Sequence, residues 1–169
     1  MTAKEIIRIL NLAPLPVEGG YFLQTWRSED MIEREALPSR YPGPRPCGSA
    51  IYYLLTSEPG CFSAIHSLAT DEVYHYYLGD PVEMLLLYPG GRSQEIVLGP
   101  NLGDGQWVQL VVPRGVWQGS RLAPGGQFAL LGTTMAPGFD PRDFTLGQRT
   151  ELQQRYPEHT KRIEALTRT

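Results

Sequence analysis

Cysteine and charge are both scarce in this chain. Its two cysteines, Cys47 and Cys61, form no CxxC pair and no ligand cluster. That spacing excludes a redox motif or a cysteine-built metal site; a disulfide between the two stays open without support, and a reduced, intracellular setting is expected. Charged residues make up 20% of the chain, below the usual share of about 25%. The formal net charge of -3 is close to balance. No basic stripe is present to hold a polyanion, so no nucleic-acid partner is expected. No apolar run approaches the roughly 18 residues that cross a bilayer. The first residues lack the basic-then-apolar pattern of a leader. The reading is a cytoplasmic protein without a membrane partner.

What the chain does have is turns. Eighteen glycines and fifteen prolines are spread through 169 residues, a length that one domain over 1–169 accommodates with a proper core. Short runs rich in β-branched and aromatic residues fall at 50–55, 62–67, 73–78, 82–87, 93–98, 107–112, 117–121 and 128–135, and another at about 21–27. Gly/Pro clusters such as Pro89-Gly90-Gly91 and Pro124-Gly125-Gly126 separate them. Many short strands between such turns predict an all-β fold, an antiparallel sandwich or barrel. Short terminal helices complete it. Thr2 with Glu5 three residues later is a capping box, and Ile6, Ile9 and Leu10 give the first helix an apolar face. Residues 148–155 and 157–166 read as helical, Pro157 suiting a first turn. Gly19-Gly20 reads as a bulge or tight turn, or as a close approach of backbone to a ligand. The polar, Pro-rich stretch 28–48 is long for a compact domain and reads as a lid or a dimer arm.

The stretch from Gly60 to Gly79 organises the rest. Residues 62–67 and 73–78 read as a hairpin joined by Ala69-Thr70-Asp71, which would bring His66 near Glu72. Side chains alternate faces along a strand. With Glu72 inward, Tyr74 and Tyr76 also point inward, while Val73, His75 and Tyr77 point outward. The outward row and the 28–48 stretch offer a surface for a homodimer, which light scattering at micromolar concentration would check.

Here the sequence resembles the cupins. Gly60, His66, Glu72 and Gly79 fall on the spacing of the first cupin motif, with Leu68 in place of its second histidine. Pro113-Arg114-Gly115-Val116-Trp117-Gln118 falls on the second motif, with Gln118 in place of its histidine. The runs 17–22, 50–55, 71–79, 112–118 and 136–140 recur in that order in the cupin-5 family, a domain of unknown function also called DUF985. One departure is Pro16-Val17, where many relatives carry His-Pro. The resemblance implies a double-stranded β-helix, the cupin jelly-roll barrel, commonly a homodimer, with a pocket inside for a small-molecule ligand.

The resemblance also marks His66, Glu72 and Gln118 as the remaining metal-ligand positions. Three or four well-placed ligands are wanted by a divalent transition metal, and Leu68 supplies none. The other readings are a core histidine with a hydrogen-bonded ring and a metal-free polar pocket. In that pocket, His66 would carry a proton, since its unperturbed pKa of about 6.5 lies near working pH, and Glu72 would orient it. Gln118 would hold a substrate oxygen. Tyr74 and Tyr76 would either form a flat wall for the substrate or simply fill the barrel. Three functions follow: an isomerase or epimerase of a small polar, carbohydrate-derived molecule; a non-catalytic binding module or sensor; and a metal-dependent enzyme.

Overall fold

A computed structural model describes residues 1–168. Thr2 caps α1 (Ala3–Leu10) with both halves of the capping box formed, and Ile6 on its buried face seats it on the body. Such a cap contributes about 1 kcal/mol. After α1 come β1 (Ala13–Pro14), β2 (Tyr21–Arg27), β3 (Met31–Ile32), β4 (Arg45–Pro46), β5 (Ser49–Thr56), β6 (Ser63–Leu68) and β7 (Glu72–Gly79). Then follow β8 (Val82–Leu87), β9 (Ser93–Leu98), β10 (Gln109–Val112), β11 (Trp117–Leu122), β12 (Phe128–Met135) and β13 (Phe144–Leu146). The chain ends in α2 (Arg149–Arg155) and α3 (Thr160–Ala165). The expected strands and terminal helices are present. Strand β13 lies between the last expected strand and the first expected C-terminal helix, where no element was expected.

The strands form a six-stranded sheet, β1-β2-β5-β12-β7-β10, and a five-stranded sheet, β13-β6-β11-β8-β9, with a small β3-β4 ribbon. All pairings between strands are antiparallel. The main core lies between the two large sheets. Tyr53, Tyr74 and Leu131 from one meet Val82, Met84, Leu86 and Leu98 from the other. Alternation explains this: residues 82, 84 and 86 share one face of β8. Leu85 and Leu87 point the other way, onto a second cluster under α2 and α3 with Leu152, Tyr156 and Ile163.

Residues 62–67 and 73–78 do not form a hairpin. β6 pairs with β11 and β13, whereas β7 pairs with β12 and β10. The turn at 69–71 carries the chain from one sheet to the other. A corner and a hairpin give the same alternation in sequence, because period two reports faces and not partners. His66 and Glu72 therefore come together across the gap between sheets.

The stretch 28–48 is not a free lid or arm. β3 pairs with β4, and Arg45 is fully buried. Its guanidinium donates two hydrogen bonds to Asp143, at 2.7 and 2.5 Å, and two more to the carbonyls of Gly43 and Pro44. Buried Tyr41 bonds the Thr70 hydroxyl at 2.8 Å. The prolines order this segment and the buried ion pair pins it.

Candidate functional site

One end of the space between the sheets is unfilled. The cavity there has a volume of about 90 Å³ and is lined by Leu15, Glu18, Phe22, Gln24, Ser49, Ala50, Ile51, His66, Leu68, Glu72, Thr133, Met135, Phe139 and Phe144. Its walls are mostly apolar, and the polar groups converge from several strands. β6 supplies His66 and Leu68 from one face. β7 supplies Glu72 at its first residue, and β12 supplies Thr133.

His66 is 2% exposed. Its Nδ1 is 2.8 Å from the carbonyl oxygen of Ala64. A carbonyl can only accept, so Nδ1 carries the proton. In the neutral ring Nε2 then holds a free lone pair, and no group among the described residues hydrogen-bonds to it. Phe144 of β13 stacks on the imidazole, with ring centres 5.0 Å apart and planes 20° from parallel. Ring orientation and tautomer are both fixed by the fold.

Glu72 is also buried, and its Oε2 accepts from Gln118 Nε2 at 2.7 Å. Burial pushes the Glu72 carboxyl above its ordinary pKa. A positive charge on His66, when its ring is protonated, opposes that shift, Glu18 adds to it, and hydrogen bonding from Thr133 and Gln118 opposes it. The folded-state pKa thus lies above the unfolded one. The contribution of this group to stability is fully present below the unfolded value, about 4.3, and is lost as pH rises through the raised folded value. Glu72→Gln has no charge to bury. Urea denaturation of the wild type and this variant should show Glu72→Gln gaining relative stability as pH rises above the unfolded value of about 4.3. A gap that shrinks with rising pH would contradict the direction of the shift.

The structure brings His66, Glu72 and Gln118 together, but Gln118 sits behind Glu72 and does not line the cavity. Tyr74 and Tyr76 are the corrections. Both lie on the inward side of β7, but neither lines the cavity. Tyr74 is 2% exposed in the main core, and Tyr76 packs at its margin with its hydroxyl on the carbonyl of Gly79. The inner face of β7 continues past the cavity, so only its first inward residue meets open space. His75 points outward, bonded to Thr134 and Gln109 and stacked on Tyr77.

Sequence reasoning passed over Glu18. Its Oε1 accepts from the buried Ser63 hydroxyl at 2.8 Å, and it lines the cavity beside Phe22. Gly19 and Gly20, with φ of 103° and 73°, make the turn that aims it. A side chain at Gly20 would strike the Tyr53 ring, and one at Gly19 would strike Arg168 and the carbonyl of Phe62. The backbone there closes onto protein, which is the turn reading of the pair. An acid just before two glycines at a strand's start was the available signal. Phe139 falls in the family run 136–140 and Phe144 just beyond it, and no local signal marked either as a cavity residue.

The donor set does not fit a divalent metal ion. No three His, Cys, Asp or Glu side chains among the described residues are grouped to hold one. Gln118 turns its NH2 toward Glu72, the favourable orientation beside a carboxylate, because the flipped amide would set two acceptors against each other. Its carbonyl oxygen is buried without a partner. Of the cupin ligand positions only His66 and Glu72 keep a ligand-type group, with apolar Leu68 beside them, and Glu18, though it lines the same cavity, is not grouped with them closely enough to complete a set.

The family described as Cupin superfamily (DUF985) matches residues 4–147. The Saccharomyces cerevisiae protein YML079W is 31% identical over 136 residues, covering 76% of this chain and 67% of its own. A Shewanella oneidensis protein of solved structure is 32% identical with a TM-score of 0.86, covering 99% of this chain and 98% of that one. A hypothetical protein from Leishmania major is 28% identical with a TM-score of 0.87 over the whole of both chains. Bacillus subtilis oxalate decarboxylase is only 13% identical, with a TM-score of 0.53 over 93% of this chain and 37% of that one, a likeness of fold alone. By the family match and these relatives, this chain belongs to the DUF985 family of the cupin superfamily.

Proposed function

We propose that the cavity between the sheets, in a fold of the double-stranded β-helix type, takes a small carbohydrate-derived ligand and that His66 moves a proton on it, as in an isomerase or epimerase. The observation that carries this reading is the tautomer of His66. Nδ1 is committed to Ala64, so the basic lone pair is left on Nε2, in a ring that lines the cavity and has no other hydrogen bond among the described residues. A general base needs a free lone pair in reach of substrate and a pKa near working pH.

In the proposed step, His66 Nε2 takes the proton from a carbon beside a carbonyl. The C–H electron pair moves into the new double bond and the carbonyl oxygen becomes an enolate oxygen. Return of that proton by His66 to the neighbouring carbon, with the hydroxyl and carbonyl exchanging roles, gives the isomer; delivery of a proton by water to the opposite face, with His66 giving its own proton to solvent afterwards, inverts the carbon. Glu72 lies close enough to stabilise the imidazolium electrostatically, and Gln118 holds the carboxylate in place. The apolar walls exclude water and strengthen that interaction.

The test is solvent exchange. Glyceraldehyde, dihydroxyacetone and glucosamine are incubated with the protein in deuterium oxide and followed by NMR. Enzyme-dependent deuterium at the carbon beside the carbonyl is expected for at least one of them, and no exchange above background in all three would overturn the proton-transfer reading. The mostly apolar wall favours a second reading, a binding module or sensor. Saturable binding of a compound without any exchange would support that one.

A further inference from the structure

The cavity's charge pattern narrows the ligand further. Two carboxylates line it, Glu18 and Glu72, approaching from β7 and from the turn before β2. No Lys or Arg among the described residues lines it. Arg27 donates to the carbonyl of Phe139 and is not among the lining residues. An anionic ligand would meet two acids and no fixed cation. Three phenyl rings, Phe22, Phe139 and Phe144, form much of the apolar wall. Aromatic faces attract a positive charge electrostatically, and more strongly once it is desolvated.

A second observation points to a ligand independently of the acids. His66 is 98% buried, given its 2% exposure, and lines the cavity with Nε2 unpartnered among the described residues. That nitrogen is an acceptor open to the cavity's contents, so a ligand that brings a hydrogen-bond donor gains a partner there.

We propose that the natural ligand is a small organic cation, an ammonium compound that also carries a hydroxyl. The ammonium group lies between the Glu18 carboxylate and the phenyl rings, and the hydroxyl donates to His66 Nε2. This deepens the reading of the cavity as the ligand site and rests on it. It excludes phosphorylated and nucleotide-linked sugars and admits amino sugars and amino alcohols.

Choline is a suitable probe, because 3,3-dimethylbutan-1-ol is its uncharged carbon isostere. Both, with acetate, are titrated calorimetrically at fixed ionic strength. Choline should bind at least about tenfold more tightly than the isostere, and acetate should not bind. Glu18→Gln, which keeps the acceptor for Ser63, should weaken choline about tenfold and leave the isostere unchanged. Phe139→Leu should do the same through loss of one ring, and serves as the second variant should Glu18→Gln fold poorly. Equal binding of choline and isostere, binding of acetate, or variants that leave choline unaffected would overturn the cationic ligand. Isostere binding without a choline preference would still leave the cavity as a ligand site. Binding of neither probe would overturn the inference, while exchange on an uncharged hydroxy-carbonyl compound would show the proton-transfer reading standing without it.

Discussion

Arg45→Met is expected to lose about 3–5 kcal/mol of unfolding free energy, because it leaves the buried Asp143 carboxylate without its partner. Native domains have only about 5–15 kcal/mol to lose. Arg45 is 0% exposed and Asp143 5%. The guanidinium meets the carboxylate in a two-point pairing and gives its remaining bonds to the Gly43 and Pro44 carbonyls. Met fills much of the same volume but donates nothing, so an uncompensated charge and two bare carbonyls remain. Arg45→Met combined with Asp143→Leu should recover a large part of the loss, since replacing a whole buried pair with apolar side chains is often neutral or favourable. Denaturant titrations of the three proteins check this. A single-variant loss below about 1 kcal/mol, the range of a surface pair, would show that the ion pair does not anchor the segment. The consequence reaches the site, because the carbonyl of Asp143 accepts from Ala69 N and the next residue, Phe144, stacks on His66.

The second large effect falls on the proposed reaction. His66→Gln should lower solvent exchange by about 10² to 10⁴-fold, the usual contribution of a positioned general base. Gln is close in size and can still donate to the Ala64 carbonyl, but it has no basic nitrogen. Folding should survive, with a thermal midpoint close to the wild type and binding of an inert ligand nearly unchanged. Loss of exchange together with loss of the fold would assign His66 a structural role only. Unchanged exchange in a folded variant would remove it as the proton carrier.

Much of this architecture was legible in the residues. Alternation of apolar and polar positions with Gly/Pro turns located the long strands, and Thr2 with Glu5 located the first helix. Periodicity gives faces, so the inward side of β7 was readable in Glu72, Tyr74 and Tyr76. It does not say where along that side the interior is filled, which is why the two tyrosines proved to be packing and Glu72 alone meets the cavity. Nor does it give partners, and so a corner between sheets read as a hairpin. The Arg45–Asp143 pair spans 98 positions, and nothing local in either residue announces the other. Without it, 28–48 looked free. Glu18 falls within the family run 17–22, but nothing local shows its role, because a carboxylate's direction is set by the turn at Gly19 and Gly20 and by Ser63 on a different strand.

The claim on which the chemistry depends is that the fold leaves His66 with a bare, cavity-facing Nε2. Long-range proton–nitrogen NMR on protein with nitrogen-15 histidine reads that directly. The account predicts a neutral His66 ring protonated on Nδ1, with an unprotonated Nε2 whose resonance moves when a ligand enters. A ring protonated on Nε2, or an Nε2 signal indifferent to every ligand that binds, would contradict it.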